Sequence, residues 1–245
     1  MKKHQTVLTP GQMKELICAV NEGIPADLSP EAAQKWIGRK KQLAAQIRQI
    51  FSSSELYSNG IINNILSSWL SFYKEIGYDC ADLSSIIIPE NPGDFNRAII
   101  MAQGITPQIA YDLCAKHFKC WKYTNEDLDK IITSDRDAGQ GAYAIRIRDR
   151  VEADEELKNL SYNDLKAKNI LGITFEERLI YELKYYLETH KHLDINNYTL
   201  CSGSLFRDGD VPDVDWSRCF YSRLVVHWYF PGYARGSLRS RRAVV

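Results

Sequence analysis

Two short segments near the C-terminus, VPDVDW at 211–216 and LVVHWY at 224–229, alternate with a period of two residues. Successive side chains of a strand point to opposite faces, so this period fits a strand and not a helix. Pro212, Val214 and Trp216 fall on one face, and Asp213 and Asp215 on the other. In the second segment Leu224, Val226 and Trp228 oppose Val225, His227 and Tyr229. One face suits a core, and the other carries Asp, His and Tyr towards solvent. The stretches 217–223 and 229–236 read as loops rich in Arg, Tyr, Phe and Ser. Further strands are expected at 198–201 and 238–244, with Gly, Pro, Asp and Ser punctuating the gaps.

Upstream the signals change. Thr9 with Pro10, and Ser29 with Pro30, each pair an N-cap residue with a proline at the first helical position. In the second of these helices Trp36, Leu43, Ile47 and Ile50 lie near one stripe, with Arg39, Lys40 and Lys41 facing away. A third helix is expected over 61–76, and 81–93, with two prolines and a glycine, reads as a linker. Beyond it come a short strand at 98–102, a helix over 106–118 and a strand at 120–123. Residues 142–148 alternate, which puts Tyr143, Ile145 and Ile147 on one face. The strongest helix runs over 174–190: Thr174 and Glu177 have the spacing of a capping box, and Leu179, Leu183 and Tyr186 or their neighbours are the expected buried side. Mixed strands and helices ending in a run of strands indicate an α+β domain over 94–245, preceded by a helical region over 1–80.

Thirty-one basic and 31 acidic residues cancel, which argues against a purely electrostatic grip on nucleic acid or an anionic membrane. No apolar run reaches bilayer length and no signal-peptide core follows the first lysines, so a soluble cytoplasmic protein without membrane insertion is expected. The six cysteines form no CxxC pair, and His117 between Cys114 and Cys120 reads as core packing. No metal and no cofactor are expected.

The tail departs sharply from this composition. Residues 1–201 contain 42 Lys, Glu, Gln and Met; the same frequency would put about nine in the last 44 residues, and there are none. Strands disfavour Lys and Glu, but seven Arg and four Asp remain in the tail, so a simple aversion to charge fails. Codons ending in a pyrimidine encode every amino acid except Lys, Glu, Gln, Met and Trp. Randomising the first two bases of such codons would produce this depletion, with Trp216 and Trp228 as fixed scaffold.

The framework TLCSGS, DG, VP, V, W, then V, W, P and LRSR with VV, spread over 199–245, resembles the C-terminal variable region of diversity-generating retroelement target proteins. The resemblance is to the type found in small uncultivated bacteria. The stretches RDRVEADEELKNLS and GITFEERLIYELKYYLETHKHLD resemble the body of the same proteins, so the likeness covers about 94–245. It implies a C-type-lectin-like fold with a variable region over about 202–245. By the same analogy the scaffold is Gly209, Val211, Pro212, Val214, Trp216, Val226, Trp228, Pro231, Leu238, Arg239 and Arg241. The displayed, ligand-binding positions are Phe206, Arg207, Asp210, Asp213, Asp215, Ser217, Arg218, Phe220, Tyr221, His227, Tyr229, Phe230, Tyr233 and Arg235. Leu205 departs from the pattern, which has a basic residue there. The expected protein is a binding module for a protein or glycan, without catalytic residues.

Two other readings compete. Asp208, Asp210, Asp213 and Asp215, with His227, could hold a divalent cation or perform acid–base chemistry, although no nucleophile elbow, phosphate loop or HExxH motif accompanies them. Alternatively, GRKK beside Trp36 and the terminal LRSRR could serve a nucleic-acid-binding or assembly module. Solvated or paired charge is the simpler account of both basic groups.

Overall fold

A computed structural model describes residues 10–52, 54–80, 83, 85–217 and 222–245. Residues 1–60 and 61–245 form two compact units. The first holds α1 (Pro10–Glu22), α2 (Pro30–Gly38), α3 (Lys40–Ser52) and the first residues of α4 (Ser54–Glu75). Ser29 caps α2, its Oγ accepting from the Ala32 amide at 3.2 Å, with Pro30 in the first turn. The Thr9 cap and the Ile50 side chain lie outside the described residues. Trp36 is 42% exposed and Leu43 and Ile47 are half-buried, so the expected stripe is not sealed among the described residues of this unit.

In the second unit α4 buries Leu66, Trp69, Phe72 and Tyr73, the spacing of one helix face, and Ile76 just after it is buried as well. Its Tyr73 hydroxyl donates to the Ile100 carbonyl at 2.6 Å and accepts from the Ala102 amide at 3.1 Å, fixing α4 to β1 (Arg97–Met101). The division between units falls at Gly60, inside α4. The stretch 81–93, where a linker is expected, instead sends Leu83 and Ile88 into the core, while Ile87 stays exposed.

The remaining elements are α5 (Pro107–His117), β2 (Cys120–Lys122), β3 (Ile132–Ser134), β4 (Tyr143–Ile147), α6 (Tyr162–Ala167), α7 (Phe175–Thr189), β5 (Tyr198–Leu200), β6 (Ser204–Phe206), β7 (Val211–Ser217), β8 (Arg223–Tyr229) and β9 (Leu238–Arg239). A five-stranded sheet has the order β2-β8-β7-β5-β9; β1 pairs with β4 and β3 with β6. Pairings β5–β7 and β7–β8 are antiparallel, and β2–β8 and β5–β9 parallel. The class is α+β. The expected strand over 238–244 stops at Arg239, and the last residues continue as single bridges, Gly172 with Arg242 and Arg146 with Val244. Strand β4 is covered on both faces, burying Ala144 and Arg146 as well as Ile145 and Ile147. Gly203 is a packing requirement: a Cβ there would meet the Gly172 carbonyl oxygen at 2.8 Å. No helix among the described residues is long and apolar enough to cross a membrane.

Helix α7 is the element around which the unit is built. Its capping box forms as the spacing predicts: Thr174 Oγ1 accepts from the Glu177 amide at 3.3 Å, and Glu177 Oε2 from the Thr174 amide at 2.7 Å. Leu179 and Leu183 are buried, but so are Glu176, Glu177, Arg178, Glu182 and Lys184, because the helix is surrounded rather than half-exposed. Such charges need partners in the interior. Arg136 grips Glu177 with two hydrogen bonds of 2.6 and 2.7 Å. Arg178 donates to Asp194 at 2.9 Å and to Glu182 at 2.8 Å. Asp194 also accepts from Arg241 at 2.7 Å, from the Ala153 amide at 2.8 Å and from the Thr199 hydroxyl. Burial opposes the charge on Arg178, but Asp194 and Glu182 beside it hold its guanidinium above the ordinary range.

Removing one partner of a buried pair strands the other, at a cost of about 3–5 kcal/mol. Asp194→Ala should therefore lose about that much in a denaturant titration, whereas an exposed substitution such as Asp79→Ala should move stability by about 0.5 kcal/mol or less. A loss below about 1 kcal/mol for Asp194→Ala would mean that the network does not hold the fold together.

Candidate functional site

The register of β7 against β8 fixes two faces. Val214 lies opposite Val226, and Trp216 opposite Leu224, towards the core. On the other face Asp213 is opposite His227, Asp215 opposite Val225, and Ser217 opposite Arg223. Strand β2 runs beside β8 with Trp121 paired to Val225, and β5 runs beside β7. This second face is not simply solvated. With Trp121, Tyr198 and Tyr229 it lines a cavity of about 370 Å³, within the size range of small-ligand sites.

The carboxylates sit deep in it. Asp213 is only 1% exposed, and its Oδ1 has no hydrogen-bond partner among the described residues. Burial pushes its carboxyl well above the ordinary range, and Asp215 beside it adds to the effect. Burial, then the nearby Asp194, raises Asp215 to about 7, against the pull of Arg178 and Arg235. Both carboxyls therefore retain protons at a pH where a solvated aspartate has none.

Aromatic rings form the walls. The Trp121 and His227 rings are 17° from parallel, and Tyr229 stacks on Tyr233 at 4.7 Å. Guanidinium groups already lie on two of these walls: Arg223 is 5.2 Å from the Trp121 centroid, and Arg235 is 4.4 Å from Tyr198 and 5.4 Å from Tyr229. Burial and the Asp213 carboxylate push the Tyr229 hydroxyl up to about 12.

Of the positions expected to be displayed, Asp213, Asp215, Ser217, His227 and Tyr229 line the cavity, and Tyr233 and Arg235 pack against its rings. The two aspartates face the cavity floor rather than open solvent, a correction to their expected exposure. The neighbouring strands and the rings of β8 cover the outer face as well. Arg207 pairs with Glu126 at 3.0 Å, and Asp210 sits in the turn before β7, both outside the cavity. Phe230 is 62% exposed and packs edge-on against Trp228. Phe206 is a second correction: it is 3% exposed, because β6 pairs with β3 and brings its ring edge-on to Tyr123. Arg218, Phe220 and Tyr221 lie outside the described residues.

The expected scaffold residues Val211, Val214, Trp216, Val226, Leu238 and Arg241 are buried. Trp121, Tyr198 and Arg223 belong to the site without any local signal in the sequence, and Val225 lines it from the face that the alternation assigns to it. Trp121 is about a hundred residues upstream of β8, so only the parallel β2–β8 pairing identifies it. The four aspartates do not converge: Asp208 and Asp210 form a turn in which the Asp208 carboxylate accepts from the Asp210 amide. No group of three or more His, Cys, Asp or Glu is arranged to hold a metal among the described residues. Arg241 of the terminal basic run is consumed by the buried network, and Arg239 pairs with Glu155 at 2.6 Å.

Folding favours the protonated Asp215, whose carboxyl rises from 3.8 to about 7. That preference is fully present below the unfolded value and lost as pH rises through the folded one. Asp215→Asn should thus match the parent near pH 4 and exceed it by about 2–3 kcal/mol at pH 8, allowing for partial solvation. Asp213→Asn should move in the same direction. Thermal denaturation across this pH range checks both, and a variant less stable than the parent at pH 8 would show that the carboxylate is structurally paired.

No family model matches the chain, and no curated protein and no solved structure matches it.

Proposed function

We propose that the chain is a ligand-binding protein of the diversity-generating retroelement type, with residues 202–245 serving as a diversified recognition surface on a C-type-lectin-like fold. The observation that carries this reading is the split within β7 and β8. On the core face Val214, Trp216 and Val226 are buried and Trp228 packs half-buried against them, while on the other face Asp213, Asp215, Ser217, His227 and Tyr229 gather around one cavity. A strand pair serving stability alone gains nothing from a buried carboxyl such as that of Asp213, whose Oδ1 has no partner among the described residues. The absence of Lys, Glu, Gln and Met from the last 44 residues gives independent support, since pyrimidine-ending codons exclude those types.

The mixture of Tyr, His, Arg, Ser and Asp suits recognition. Tyrosine and arginine provide large contact areas with polar ends, and short polar residues adapt to varied partners. The ligand is a protein or a glycan. Binding is the whole task in this account, without a catalytic step, a metal or a cofactor.

Sequencing a few kilobases of DNA around the gene tests the reading. A near-copy of the 3′ end is expected beside a reverse transcriptase, differing from the gene only where the copy carries adenine. Those differences should fall in codons such as those of Asp213, Asp215, His227, Tyr229 and Tyr233, and spare those of Val214, Trp216 and Trp228. No copy and no reverse transcriptase, or differences scattered over the scaffold codons, would contradict it.

A further inference from the structure

We propose, resting on the reading of this cavity as a ligand site, that it takes a basic side chain, the guanidinium or ammonium group of a protein partner. Asp213 supplies the first argument. Its carboxyl group is buried, it lines the cavity, and Oδ1 has no partner among the described residues. An unpaired polar atom in the interior is costly until a donor reaches it, and a charged donor compensates a carboxylate most fully.

Asp215 supplies the second. Two residues further along β7, it presents its carboxyl to the same cavity, about 7 Å away along the strand. Two carboxylates on one wall match the several N–H donors of a guanidinium or the three of an ammonium. No ion pair engages either aspartate among the described residues.

The third argument is the aromatic lining. Trp121, His227 and Tyr229 surround the carboxylates, and ring faces attract cations. The protein's own arginines already use this chemistry, Arg223 over Trp121 and Arg235 over Tyr229. A neutral polyol would find stacking surfaces here but brings no charge, so it gains nothing when the carboxyls give up the protons that burial retains on them. The cavity therefore favours a protein partner over a glycan.

A cation binds the ionised aspartates, so binding releases the protons that burial retains on them. Asp213 faces Asp215, Arg235, Tyr229 and the Cys201 thiol, and Asp215 also feels Asp194 and Arg178. His227 stands at the wall. The arginines lower the carboxyl pKa values without reversing the rise, so affinity should increase from about pH 5.5 to about pH 8.

The test titrates the full-length chain, followed by amide NMR, with N-acetyl-arginine methylamide, its lysine counterpart, its neutral citrulline isostere and maltose. The arginine or lysine probe should bind about tenfold tighter than citrulline, the discrimination of one charge-assisted hydrogen bond. The preferred cation then separates guanidinium from ammonium. Asp213→Asn and, independently, Asp215→Asn should remove the preference and the rise with pH. Citrulline or maltose binding as tightly as the cations, with loss on Tyr229→Ala, would overturn the proposal and leave the binding-site reading standing. If no probe shifts the amides of β7 and β8, the proposal fails and the cavity loses its claim to be the site as well.

Discussion

Asp194 accepts four donors in a fully buried position, and most of the second unit converges on it. Arg178 comes from α7, Thr199 from β5, Arg241 from the C-terminal tail, and the Ala153 amide from the loop before α6. The same aspartate's carbonyl accepts from the Trp216 amide at 3.1 Å, tying β7 to the loop that leaves α7. An interior ion pair is favourable only when its hydrogen bonds are complete, and here the two arginines balance Asp194 and Glu182. This one cluster sets the position of helix, sheet and tail relative to one another. His192, from the same loop, stacks on Trp216 and hydrogen-bonds the Glu182 carboxylate through Nδ1. The sheet face beyond β7 is therefore mounted on a rigid base.

Asp213 is as buried as Asp194, a short distance along the same structure, yet its Oδ1 has no partner. The contrast is what gives the cavity its meaning. A fold that supplies four donors to one aspartate has the means to satisfy another. Leaving Asp213 open keeps a strong acceptor available, at a cost in stability that the Asp194 network offsets. Recognition sites commonly combine such a destabilising feature with a stiff support.

Much of this was legible in the residues. Period-two alternation located β7 and β8 and separated Val214, Trp216 and Val226 from Asp213, Asp215 and His227, because a strand's faces follow directly from sequence. The Thr174 and Glu177 spacing marked the start of α7 for the same local reason. What was hidden depends on distant pairing. Phe206 looked free to project until β3 paired with β6 and covered it. Trp121 joined the site through a parallel strand that no local pattern announces. No local pattern places the charges of Arg178 and Glu182 inside, and only the surrounding α5, β1 and β7 make them interior. The short α6, held by a Ser161 and Asp164 capping box, was passed over because six residues give no clear periodicity.

On the proposed function, one face of β7 and β8 carries recognition while the other carries the fold. A pair of combinatorial libraries addresses it directly. One randomises Asp213, Asp215, Ser217, His227, Tyr229 and Tyr233 with pyrimidine-ending codons; the other randomises Val214, Trp216, Leu224, Val226 and Trp228 in the same way. The fraction of folded members would be read by protease resistance. Most of the first library should stay folded with stability near the parent, while most of the second should not. Equal losses in both would mean that the cavity-lining residues are core, and that the C-terminal segment is not a surface free to vary.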